Sequence, residues 1–115
     1  MSKKINPMRP ANLQDIVPGW IYEIVMDWRQ TAASAPVDYR TGKPNPKGED
    51  CVHLTYANTL GDARFELEIQ AERYLNTHQQ LLRRMGPNRY HGNDGDTIVN
   101  LSIIAVQDSE TKENI

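Results

Sequence analysis

Residues Val17 to Arg29 read V-P-G-W-I-Y-E-I-V-M-D-W-R. Their side chains sort at a period of two, with Trp20, Tyr22, Ile24, Met26 and Trp28 on one side and Ile21, Glu23, Val25, Asp27 and Arg29 on the other. That alternation predicts a half-buried β-strand. It carries both tryptophans of the chain and is launched from a Pro18-Gly19 turn. A first strand of this length constrains the architecture, whereas no segment constrains the chemistry as firmly.

On the N-terminal side, residues 1–10 hold two prolines and three basic residues and are expected to form a flexible arm. Leu13 and Ile16 suggest one helical turn behind an Asn12 cap. On the C-terminal side, residues 30–50 contain three prolines, two glycines and almost no large apolar side chain. They are expected to be a long loop, of a kind that is commonly functional or mobile.

Cys51 to Asn58 alternates again, and Phe65, Leu67 and Ile69 alternate with Arg64, Glu66 and Glu68 beyond the turn residues Thr59 to Asp62. The pair predicts a β-hairpin. From Ala71 to Met85 the apolar spacing becomes 3 and 4, which predicts an amphipathic helix ended by Gly86-Pro87. A competing assignment runs one helix from an Asp62 cap to Met85, at the cost of placing Phe65 and Ile69 off the apolar stripe. Thr97 to Val106 is apolar on both sides, as a central strand covered on both faces would be. Residues 107–115 form a polar tail, expected to be disordered, so that one α+β domain, mainly β, spans residues 1–106.

With 115 residues the chain has room for a single core. Hydrophobic residues make up 38% and the mean hydropathy is -0.67, which implies a thin core and much polar surface. The net charge of -2 resides in the last residues, leaving residues 1–106 neutral. That excludes a polybasic coat for DNA and confines any polyanion contact to local clusters. The lone Cys51 excludes an intramolecular disulfide and a CxxC motif. No apolar run has the length of a membrane span, so a soluble, cytoplasmic protein with no membrane contact is expected.

The order of strand, long loop, hairpin, helix and strand is similar to the OB-fold. The opening L-Q-D-I-V-P-G-W-I-Y-E-I-V-M-D-W-R, Leu13 to Arg29, resembles the turn and long first strand of such modules. G-D-T-I-V-N-L-S-I, Gly95 to Ile103, resembles the strand that follows their helix. The resemblance implies a small barrel whose face and first long loop bind single-stranded nucleic acid. The usual glycine inside the first strand is absent, and a fourth strand has to be found at Arg89 to His91. A four-stranded antiparallel sheet with one amphipathic helix accounts for the same pattern.

Single-strand binding needs cations for phosphates and aromatic faces for bases. Trp28 and Arg29, Tyr39, Arg40, Lys43 and Lys47 in the long loop, and Arg83, Arg84, Arg89 and Tyr90 beyond the helix interleave the two types, with Trp28, Tyr39 and Tyr90 as the stacking candidates and Arg29, Arg40, Lys43, Lys47 and Arg89 as the phosphate contacts. A second reading is a small interaction module, an inhibitor or assembly accessory that pairs an exposed strand edge with a protein partner or with a second copy as a homodimer. Cys51 and His53 share a strand face, the minimum for two metal ligands, but nothing in the spacing brings His78, His91, Asp94 or Asp96 to them. No nucleophile with its base, carboxylate pair or phosphate-cradling loop stands out, so no enzyme activity and no cofactor are expected.

Overall fold

The computed structural model describes residues 6–31, 40–42 and 49–108. The elements run β1 (Trp20–Gln30), β2 (Glu49–Ala57), α1 (Leu60–His78), β3 (Arg83–Gly86), β4 (Arg89–Asn93) and β5 (Thr97–Gln107). The five strands form one antiparallel sheet in the order β2-β1-β5-β4-β3. The fold is therefore α+β and mainly β; it has one strand more than the four-stranded alternative, and β4 covers the Arg89 to His91 segment where the barrel reading needed a short strand. The sheet is open among the described residues, with β2 and β3 at its edges.

β1 begins as the sequence indicates. Trp20 N–H donates to the Val17 carbonyl at 3.1 Å, and Gly19 has φ +81°. Pro at the second turn position and a left-handed Gly at the third are the chemistry of a type II turn. The strand then pairs with β5 along its whole length, from Trp20 opposite Gln107 to Gln30 opposite Thr97. Asp108 N–H continues that ladder to the Gly19 carbonyl at 3.0 Å, which draws the first two residues of the expected tail into the domain. The second half of the N-terminal arm is also attached, because the Tyr22 hydroxyl donates to the Pro7 carbonyl and Met8 packs on the core. Asn12 and Asp15 close a single turn through a reciprocal pair of side-chain and backbone bonds, in place of a helical turn.

The expected hairpin of Cys51–Asn58 with Phe65–Ile69 does not form. Thr59 caps a helix by accepting from Asp62 N–H at 3.1 Å, and α1 occupies Leu60–His78. Leu60, Ala63 and Leu67 are fully buried, and Ala71 and Tyr74 extend the same stripe. A 3.6-residue period thus satisfies five residues where the strand alternation satisfied only Leu67. Phe65 is left 64% exposed, off the stripe. The helix also ends before Met85. Gln79 turns left-handed (φ 54°) and returns its N–H to the Leu75 carbonyl at 2.7 Å, a C-terminal cap made without glycine. Gly86-Pro87 belongs instead to the β3–β4 turn, so Leu81 and Met85 are exposed and Leu82 alone of that group reaches the core.

The core is one-sided. Tyr22, Ile24, Leu60, Leu67, Val99 and Leu101 lie between α1 and one face of the sheet with essentially no exposure. Each such aliphatic side chain contributes about 1.5–3 kcal/mol when it leaves water. β5 is the middle strand, as expected, but only Val99, Leu101 and Ile103 are covered. Ile98, Asn100, Ser102, Ile104 and Val106 share the face away from α1 with Ile21, Glu23, Val25, Asp27 and Arg29 of β1, of which Val25 is nonetheless buried. No helix among the described residues is long and apolar enough to cross a membrane.

Candidate functional site: a free strand edge and an aromatic cleft

The two sheet edges differ in kind. β3 is four residues long, carries Arg83 and Arg84, and is irregular between Arg84 and Gly86. Short length, cations and irregularity are what discourage a foreign strand from pairing. β2 is nine residues long with no Lys, Arg or Pro between Cys51 and Ala57, and its guard is a single bulge in which Leu54 is left over between Thr55 opposite Ile24 and His53 opposite Val25. Beside this edge the uncovered face mixes apolar and charged side chains, with the Glu23–His53 pair set among exposed apolar residues. Tyr56 is 66% exposed and Ile104 38% exposed, and Ile21 stands opposite Val106 on the neighbouring strands.

On the covered face, α1 leaves part of the sheet open near the end of β1. Met26, Trp28, Tyr74, His78 and Thr97 line a cleft of about 350 Å³ there. A second compartment of about 200 Å³ shares Met26, Tyr74 and His78 and adds Leu54, Gln70 and Arg73. Tyr74 and His78, one helical turn apart, stack with ring centroids 4.4 Å apart. Tyr74 donates its hydroxyl to Gln80 Oε1 at 2.9 Å, while Gln80 Nε2 is buried without a partner. The Asp94 carboxylate stands at this end of the sheet, accepting from Thr97 N–H at 2.8 Å and Asp96 N–H at 2.9 Å. Those backbone donors hold its pKa below the ordinary carboxylate value. Burial, and then the Asp94 charge, push the Tyr74 phenol upward.

The sequence-derived nucleic-acid contacts are dispersed by this geometry. Trp28 and Tyr90 are partly buried against the core on the helix side. Arg84, which belongs to the same basic and aromatic cluster of the sequence, lies over the Tyr90 ring at 5.9 Å. Arg29 and Arg89 are exposed on the opposite face, where they sit across from Ile98 and Ser102 of β5. Alternation along a strand forces this separation, since adjacent residues cannot share a face. Arg40 is exposed in the segment 40–42; Tyr39, Lys43 and Lys47 lie outside the described residues.

Cys51 and His53 do share a face, opposite Asp27 and Val25. His53 Nδ1 is 2.5 Å from Glu23 Oε2, His91 Nδ1 meets Asn100 Oδ1 at 2.9 Å, and among the described residues no three metal-ligating side chains converge. Sequence reasoning did not single out the cleft. Its signal was present as Tyr74 and His78 at helical spacing, but which face of the sheet they would meet depended on a helix start that the alternation concealed. No family model, curated protein or solved structure matches the chain.

Proposed function

We propose that this protein is a non-enzymatic, cytoplasmic interaction module that joins its sheet to a second copy of itself through β2. The observation that carries the reading is the asymmetry of the edges: one four residues long with two arginines, the other nine residues long with no lysine, arginine or proline. Antiparallel pairing of two β2 strands about a twofold axis would continue the sheet and satisfy the unpaired backbone groups of this edge. The exposed thiol of Cys51 suits a reducing compartment.

Light scattering across a dilution series tests this. The wild type is expected to dimerise, and Tyr56→Lys, which places a cation on the free edge, is expected to weaken the dimer by about tenfold or more. A wild-type chain that is monomeric at every concentration overturns the proposal.

A second reading, single-stranded nucleic-acid binding, draws on Arg29, Arg83 and Arg89. All three share the uncovered face, and none has a carboxylate partner among the described residues. The wider field opposes it, because the described residues contain eight arginines, no lysine and twelve acidic residues. Salt-sensitive binding of a fluorescent oligonucleotide, lost in Arg83→Ala with Arg89→Ala, would favour it over the edge.

A further inference from the structure

We propose that the cleft between the C-terminal half of α1 and the end of β1 binds a small organic cation, a quaternary or heavily substituted ammonium group on a short apolar body. The walls are the Trp28 indole, the Tyr74 phenol and the His78 imidazole, with Met26 at the base. Aromatic faces attract a diffuse positive charge through their quadrupoles, and an alkylated ammonium is weakly hydrated enough to leave water for them.

A carboxylate one hydrogen bond from the lining has the matching sign. Thr97, which lines the cleft, holds the Asp94 carboxylate through its own N–H. Asp94 has no cationic side chain as a partner among the described residues. Burial first, and then the Asp94 charge, raise the pKa of the Tyr74 phenol that lines the cleft. Arg73 lines only the smaller compartment, not the one that Trp28 and Thr97 close. A space of about 350 Å³ lies at the small end of the range for ligand sites. The cleft lies on the helix side of the sheet, the face opposite Tyr56 and Ile104, so choline binding and dimerisation are read as separate outcomes.

The test compares choline with its uncharged carbon isostere, 3,3-dimethylbutan-1-ol, by calorimetric titration of the whole protein. Choline is expected to bind at least about tenfold more tightly than the isostere. Asp94→Asn keeps the side-chain oxygen that accepts from Thr97 and removes the charge; it is expected to weaken choline by about threefold or more and leave the isostere unchanged. Trp28→Leu is expected to weaken both, with circular dichroism confirming that the sheet persists. Equal affinity for the two probes, an Asp94→Asn variant that binds choline normally, or no choline binding at millimolar concentration overturns the proposal.

Discussion

Tyr22 has no accessible surface, yet its hydroxyl reaches the Pro7 carbonyl and fastens the incoming chain to the middle of the core. Removing that oxygen in Tyr22→Phe leaves a carbonyl without its donor and is expected to cost about 1 kcal/mol in urea unfolding. Burial also raises the pKa of this phenol above the ordinary value. Above about pH 10 the unfolded chain therefore releases a proton that the folded chain retains, and stability falls as pH rises through that window. Unfolding midpoints measured on either side of pH 10 should show the decline, and Tyr22→Phe should lessen it, with Tyr74 accounting for part of what remains. Gly92 is a second residue with a narrow requirement. A Cβ there would stand 2.5 Å from Leu82 Cδ2 and 3.1 Å from Gln80 Nε2. Gly92→Ala is expected to lose about 1–3 kcal/mol through overpacking, read as a lower melting temperature.

Among the elements, α1 is fixed at its start by the residue just before it, Thr59. Thr59 is buried, bridges to Ile16 through its backbone, and caps the helix by accepting from Asp62 N–H. Thr59→Ala is expected to destabilise the protein by about 1 kcal/mol in denaturant titration. The same threonine explains why the helix was hard to see in the sequence. T-L-G-D has the composition of a turn as well as that of a cap followed by a first helical turn, and Phe65, Leu67 and Ile69 then imitate a strand. What resolved the ambiguity was burial: the stripe Leu60, Ala63, Leu67 needs a sheet to rest on, and β1 with β5 supplies one. β1 itself was legible because its alternation is long and its turn uses Pro and Gly in the positions their backbones prefer. β3 was not, since R-R-M-G at a helix end looks like a basic C-terminal turn. Only a left-handed Gln79, a conformation that side-chain chemistry scarcely favours, ends the helix early enough to free it.

At the scale of the whole molecule, one feature escapes any local pattern: the first strand and the last are neighbours, and together they form the middle of the sheet. The candidate surfaces were illegible for the same reason, because Trp28 joins Tyr74 and His78 only after that pairing sets which face of β1 meets the helix. Contacts between segments so distant in the chain are slow to find. Refolding from urea, followed by tryptophan fluorescence, is expected in milliseconds to seconds rather than microseconds. The β1–β5 ladder also bears on synthesis. As the polypeptide emerges from the ribosome, Trp20 to Gln30 must wait for Thr97 to Gln107 with one flank unmatched, and during that interval the nascent chain presents to the cell the sticky ribbon that the finished protein keeps at its centre.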